Sequence, residues 1–346
     1  MVSAAISAFG TAFPPPLDQR AAWDEFFAEH YAGSRIAARL WTNSGVRTRH
    51  AAVDPRSESL ALASTGARMR RFVDEAIPLG KSAVDASLAA AGLTPADVDA
   101  FTVVSCTGYA TPGIDILLAR DLGMPESVQR LNVGHMGCYA ALPALATVAD
   151  AAVARGQVGV MLCVELTSLH LQPPTDDLEQ VVAHSLFSDG AAAIVVTPDA
   201  PGLELVDFVA CTDAATAEEM RWDVTDLGFR MTLSPQVPVV LEANAARVTS
   251  GLLARQGLTI ADVDHWAVHP GGPKIITSIA KALDLDEDAV TVSRDVLRDH
   301  GNCSSATILV VLDELVRQRT PTRGQHIVAM AFGPGLTLYM ALLRVR

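Results

Sequence analysis

Lysine is nearly absent from this chain of 346 residues. Lys81, Lys274 and Lys281 are the only three among 26 basic residues, against 39 acidic ones. The net charge of -13 excludes a broad nucleic-acid surface, which would need the opposite sign. An anionic ligand would have to be met by a few local cations, mostly arginine. Cysteine is sparse too: five residues with no CxxC or CxxH pair, which argues against structural zinc and a disulfide framework. The odd count and wide spacing suit a reducing compartment, so a cytoplasmic location is expected. No run approaches the ~20 apolar residues of a membrane span, so none is expected. The N-terminal MVSAAISAFGTAFPPP lacks a basic n-region and is broken at Gly10; it reads as a first strand ending in a proline turn, not as a signal peptide. With 50% hydrophobic and 19% charged residues the chain is globular. Scarce aromatics and abundant alanine predict closely packed, buried helices.

What is present is an echo. GLTPADVD at 92–99 returns as GLTIADVD at 257–264, 165 residues on. Each copy follows an amphipathic helix and leads into an apolar run. Carried forward, the offset sets Cys138 on Cys303, and GQVGVMLC (156–163) resembles GQHIVAMA (324–331). The chain therefore reads as two copies of one unit: helix, turn, strand, loop, helix, strand. The runs 101–106, 158–164, 265–269 and 326–332 look like strands buried on both faces. Residues 138–153, apolar nearly all round, suit a helix sandwiched between two sheets, with Pro143 tolerated in its first turn. The expected class is a layered α/β fold. Segments 108–130, 166–188 and 211–240 fall outside the repeat, and long insertions in compact folds are often functional.

Duplication gives meaning to GHMGCYAALPAL at 134–145. Two equivalent helix N-termini, at Cys138 and at Asn302–Cys303, would meet across a pseudo-twofold axis. A helix N-terminus offers unpaired N–H groups and partial positive charge, which lower a thiol pKa. A nucleophilic Cys also needs a proton acceptor, and His269 in AVHPGGPK, at a strand end before a Gly-Gly turn, is the best placed of the nine histidines. His135 reads as a loop cap, and His265 and His300 as surface residues. Asn302 taken alone could simply cap the second helix.

GCYAA, LFSDGAAA, HPGGPKI, GNCSSATILVVL and FGPG resemble the signature blocks of the type III polyketide synthases, the chalcone and stilbene synthase superfamily, in order over residues 35–346. HPGG followed 33 residues later by Asn302 is the most specific pairing. The resemblance implies the thiolase fold, a duplicated five-layer αβαβα architecture. An N-terminal half, 1–200, would carry the nucleophile, and a C-terminal half, 201–346, the His and Asn. It implies Cys138 as acyl carrier, with His269 and Asn302 stabilising the enolate left when malonyl-CoA loses its carboxylate. Phe187 would be a gatekeeper between the coenzyme A tunnel and the cavity. Met231 stands where the family has a second aromatic, which would open the cavity unless Phe229 compensates. Thr107, Thr111 and His170 would contact substrate, Thr111 from a loop crossing a homodimer interface. Arg39, Lys274, Gly271 and Gly272 would flank coenzyme A, with Arg47 a further candidate and Arg35 and Arg49 on a solvated helix face. Gly333, Pro334 and Gly335 would shape the cavity floor. No tightly bound cofactor and no metal is implied, only malonyl-CoA and an acyl-CoA as substrates. Ala140, Ala141 and Gly108 could leave room for a fatty acyl starter, making an alkylpyrone or alkylresorcinol; small aromatic, short-chain or malonyl-only starters stay open. A third-type ketoacyl carrier-protein synthase, needing a basic docking surface, is the alternative enzyme. A thiolase would want Cys303 as a second catalytic thiol. A silent ligand-binding partner subunit would normally have lost part of the triad.

Overall fold

The computed structural model describes residues 3–346. Nine strands, β1 (Ala4–Ala12), β2 (Ala100–Ser105), β3 (Gln129–Gly134), β4 (Gly159–Glu165), β5 (Gly190–Pro198), β6 (Leu203–Thr212), β7 (His265–Val268), β8 (His326–Gly333) and β9 (Thr337–Val345), lie side by side in the order β7-β8-β9-β6-β1-β5-β4-β2-β3. The longer helices are α1 (Arg35–Thr42), α2 (Thr65–Ala91), α3 (Ile114–Leu122), α4 (Ala141–Arg155), α5 (Leu178–Leu186), α6 (Val237–Ala254), α7 (Pro273–Ala282), α8 (Glu287–His300) and α9 (Thr307–Arg319).

The strand order carries the duplication. β1-β5-β4-β2 and β6-β9-β8-β7 run through the same sequence of pairings, antiparallel, antiparallel, then parallel. β3 has no counterpart and forms an exposed edge. Among the described residues, the two half-sheets pair where Ala5 and Ile6 of β1 meet Glu204 and Leu203 of β6. The echoed octapeptides fold alike. Thr94 donates its N–H and hydroxyl to Asp97 at 2.8 and 2.7 Å, and Thr259 does the same to Asp262 at 2.8 and 2.7 Å. Both are reciprocal capping boxes that satisfy otherwise orphaned N–H groups and aim the chain into β2 or β7.

Alternation along the strands builds the layers, since successive side chains face opposite sides. In β4, Met161 and Cys163 face the central core while Val160, Leu162 and Val164 face the outer core under α2 and α3. In β8, Ile327, Ala329 and Ala331 face the centre while Val328, Met330 and Phe332 face the opposite outer core, under α6 and α7. The centre is filled by α4 and α9, so helix, sheet, helix, sheet, helix stack as five layers. Small residues make this possible: a Cβ on Gly10 of β1 would sit 2.3 Å from a backbone oxygen of α2. Pro143 does fall in the first turn of α4. Among the described residues, no helix is long and apolar enough to cross a membrane.

The segments outside the repeat acquire definite structure. Residues 108–130 hold α3 and the approach to β3; 166–188 hold α5 and Phe187; and 211–240 hold an antiparallel hairpin, Met220–Thr225 with Gly228–Leu233. Its register sets Leu233 opposite Met220, Met231 opposite Trp222 and Phe229 opposite Val224.

Candidate active site

Cys138 lies in the turn before α4, behind Gly137, whose φ of 85° belongs to the left-handed region that glycine tolerates. A Cβ at Gly137 would meet the Pro334 ring at 2.5 Å, and one on Gly333 would meet the Tyr139 ring at 2.7 Å and the Cys138 nitrogen at 3.3 Å. Gly333-Pro334-Gly335 thus clamps the nucleophile's turn. That corrects the expectation of a cavity floor, because the lining residue there is Phe332.

His269 leaves β7 with its N–H bonded to the Met330 carbonyl at 2.9 Å. Asn302 is tied across to α5: its N–H donates to Leu186 O and its carbonyl accepts from Ser188 N–H, both at 2.9 Å, with Phe187 between. Gly301 allows this approach, since a Cβ there would sit 2.8 Å from the Ser188 side chain. The Asn302 Oδ1 accepts from Ser304 N–H at 2.9 Å and from the Thr307 hydroxyl at 3.3 Å. A backbone N–H can only donate, so the oxygen end is fixed and the NH₂ end is left for the site. Asn302 both caps its turn and turns its NH₂ to the Cys138 sulfur.

Cys138, His269 and Asn302 line one tight cavity of about 10 Å³ with Phe187, Met220, Met231, Leu233, Gly271, Ile275 and Phe332. His269 is fully buried, and neither ring nitrogen has a hydrogen-bond partner. Buried polar atoms are normally satisfied, so this imidazole is shaped for something that enters. Burial pulls its pKa down to about 3, leaving it neutral. The Cys138 thiol is pushed up to about 12, chiefly by burial, with the Glu165 carboxylate adding to the rise and hydrogen bonds from Ser304 and Asn302 opposing it. Desolvation therefore works against the lowering expected from the helix end, and burial favours the neutral form of both groups.

Sequence reasoning missed what lies behind the thiol. Ser304, in the left-handed region at φ 49°, donates to Cys138 Sγ at 3.5 Å and sits 3.2 Å from Cys106 Sγ. Strain of this kind collects at functional sites. The buried Glu165 accepts from Cys106 N–H at 3.0 Å, Thr107 Oγ1 at 2.8 Å and Ser305 Oγ at 2.5 Å. The SSAT run and the buried acid ending β4 were the available signals. Thr107 is thereby corrected: its hydroxyl serves Glu165 and Leu166 N–H, and it lines no cavity. Cys303 is also no second catalytic thiol; it faces the central core and the Asp189 carbonyl.

The Cys138 cavity shares Leu233, Gly271 and Ile275 with a surface cleft of about 610 Å³. Arg39, Lys274, Gly271 and Gly272 all line this cleft, with Glu179. Neither Arg39 nor Lys274 has an ion-pair partner among the described residues. Arg35 is exposed, as expected, whereas Arg47 is paired with Asp299 away from the cleft. Arg49 is the clearest miss. It is buried and donates to Gln19 and to the backbone carbonyls of His184, Ser185 and Phe187, pinning α5 to the strand Thr48–His50. His300 is half-buried, stacked on Phe13 and in contact with His50, not a surface residue.

On its other side the Cys138 cavity shares Phe187 and Met231 with a lateral cavity of about 70 Å³. Phe187 thus lines both the Cys138 cavity and this chamber. His170 and Phe229 line the chamber. His170 is no free contact, since Nε2 donates to Thr107 O at 2.7 Å and Nδ1 accepts from Phe229 N–H at 3.0 Å. Gly108 leaves no room, because a Cβ there would meet the Phe72 ring at 2.1 Å, and Ala140 and Ala141 belong to the central core. Thr111 is exposed, its hydroxyl on Tyr109 OH, and lines no cavity of this chain.

Residues 2–200 match the family "Chalcone and stilbene synthases, N-terminal domain" and 207–346 its C-terminal domain. A 3,5-dihydroxyphenylacetyl-CoA synthase of Amycolatopsis balhimycina is 35% identical, covering 88% of this chain and 84% of that one. A 1,3,6,8-tetrahydroxynaphthalene synthase of Streptomyces peucetius subsp. caesius is 33% identical over 98% and 92%. The crystal structure of 1,3,6,8-tetrahydroxynaphthalene synthase from Streptomyces coelicolor superposes with a TM-score of 0.93 at 26% identity, covering 99% of each chain. With two domain matches spanning nearly all of its length, the chain belongs to the type III polyketide synthases of the chalcone and stilbene synthase superfamily.

Proposed function

We propose that the protein loads an acyl group from coenzyme A onto Cys138, extends it by decarboxylative condensation with malonyl-CoA, and releases a cyclised product. One observation carries this reading: a buried thiol, an imidazole with both nitrogens unpartnered and a carboxamide with its NH₂ end turned to the thiol meet in one cavity whose wall is shared with a cleft lined by two cations that have no ion-pair partner among the described residues. The cations suit the phosphates of coenzyme A.

Neutral His269 takes the Cys138 proton as sulfur attacks the acyl thioester and coenzyme A leaves. Malonyl-CoA then enters the same space. Its C–C bond to the carboxylate breaks, CO₂ departs, and the electron pair forms an enolate. A His269 N–H and the Asn302 NH₂ donate to that oxyanion; both are fixed before it appears, which is what makes such donors effective. The enolate carbon attacks the Cys138 thioester and releases the thiolate for the next cycle. Assembly as a homodimer, a cytoplasmic location and the division into a nucleophile-bearing 1–200 and a donor-bearing 201–346 belong to the same reading.

The test is incubation of the purified protein with malonyl-CoA and a panel of acyl-CoAs, followed by product mass. Mass fixes starter and extension number together. Cys138→Ala is expected to abolish chain growth; polyketide products from that variant would overturn the assignment.

A further inference from the structure

Three segments meet behind Asn302: the strand Thr48–His50, residues 187–189, and the chain from His300 to Asn302. The middle segment is bonded to each outer one. His50 N–H donates to the Ser188 hydroxyl at 2.8 Å, and Asp189 N–H donates to His50 O at 2.9 Å. Ser188 N–H donates to Asn302 O at 2.9 Å. The outer two segments are joined directly by imidazoles, with His50 Nε2 and His300 Nδ1 3.2 Å apart. A third partner fixes the protons. Pro14 O, 2.9 Å from His50 Nδ1, can only accept, so Nδ1 carries the hydrogen. In the neutral ring Nε2 is then the acceptor, and His300 Nδ1–H donates to it. Burial holds both rings below the ordinary histidine range, which favours this neutral pairing. Phe13 stacks on both rings, its centroid 4.7 Å from that of His50 and 4.4 Å from that of His300.

His300 is the last residue of α8, and Gly301 follows it with φ 70°. A glycine there is a permissive joint. The direction of Asn302 therefore depends on what holds the chain on each side. Beyond it, Ser304 N–H and the Thr307 hydroxyl hold its Oδ1. Before it, the side-chain anchor is His300. Accepting the reading above, in which the Asn302 NH₂ binds the enolate, we propose that His50 and His300 form a clasp that positions Asn302. Neither histidine lines the Cys138 cavity, so neither touches the reacting atoms there. Opening the clasp loosens the carboxamide, while Cys138 and His269, carried by other elements, stay in place. Decarboxylation then suffers and acylation of the thiol does not.

The test compares wild-type protein with His300→Leu, which has no N–H, and His300→Asn, whose amide N–H can take the place of Nδ1–H. Two rates are read on each: malonyl-CoA decarboxylation, and Cys138 acylation by the best starter of the acyl-CoA panel. In His300→Leu, kcat for decarboxylation is expected to fall about tenfold, with KM for malonyl-CoA and the acylation rate within about twofold of wild type. His300→Asn is expected to return to within about threefold of wild-type kcat, a rescue that follows the hydrogen bond and not the ring. Wild-type kcat in His300→Leu overturns the inference. So do equal losses of acylation and decarboxylation, or an Asn variant no better than the Leu one. If His300→Leu does not fold, His50→Phe takes its place with the same expectation; it keeps the stack on Phe13 and offers His300 no acceptor. Wild-type protein that neither becomes acylated on Cys138 nor decarboxylates malonyl-CoA overturns the underlying activity, and this inference with it.

Discussion

A thiol resting near pKa 12 beside an imidazole near pKa 3 has a measurable consequence. Such a cysteine reacts with iodoacetamide only through its thiolate. At pH 7.5 its thiolate fraction is about 3,000-fold below that of an ordinary cysteine of pKa ~8.5. The more basic sulfur is intrinsically more nucleophilic, by about 40-fold for a Brønsted slope near 0.45, so alkylation should run about 100-fold slower than for free cysteine. The sign follows from the raised pKa: the rate climbs tenfold per pH unit from 6 to 10 without a plateau. Acylation by acyl-CoA behaves differently, because neutral His269 removes the proton during attack. Its rate should lack any acid limb near pH 6.5, as His269 stays unprotonated above about pH 4. The assay follows the Cys138 peptide by mass spectrometry, since Cys211 is the more accessible thiol. Alkylation that levels off below pH 7 would mean a preformed thiolate–imidazolium pair and would refute the neutral resting state.

Three further outcomes test the scaffold. Asn302→Asp keeps the acceptor for Ser304 N–H and removes the NH₂ donors; malonyl-CoA decarboxylation is expected to fall about 100-fold, with the urea midpoint changing little. Gly137→Ala demands a left-handed alanine and a clash with Pro334, so it should cost about 2 kcal/mol or more in denaturant unfolding and impair Cys138 acylation. Arg39→Glu with Lys274→Glu reverses two exposed charges at the cleft; KM for malonyl-CoA should rise about tenfold while kcat holds, an effect that shrinks as salt is raised.

How far the sequence could be read depended on how local each cause is. The octapeptide echo was legible because a capping box needs only Thr94 with Asp97, or Thr259 with Asp262, three residues apart. That Cys138, His269 and Asn302 share a cavity was legible because each lies within two residues of a glycine, Gly137, Gly271 or Gly301, in a turn that motif comparison can find. Arg49 was misread because its partners are backbone carbonyls of 184–187, invisible to any spacing rule. Gly108 was misread for the same reason: the space beside it belongs to Phe72, 36 positions earlier. The burial that raises the thiol pKa was not legible, because a helix end is a local feature whereas desolvation is set by the whole fold.

The division between repeat and insertion also divides the chemistry. Cys138 and Asn302 precede equivalent central helices, α4 and α9, and His269 ends β7, the counterpart of β2. The reacting groups are thus supplied by the duplicated unit. The container is not. Phe187 comes from 166–188, and Met220, Trp222, Phe229, Met231 and Leu233 come from the hairpin within 211–240, both outside the repeat. Because the hairpin lies against both cavities through one face, replacing its side chains alters the chamber without moving the thiol, the imidazole or the carboxamide. Changes in chain length should therefore map to this hairpin and to α5, while changes in condensation itself map to the two central helix ends and the turn after β7.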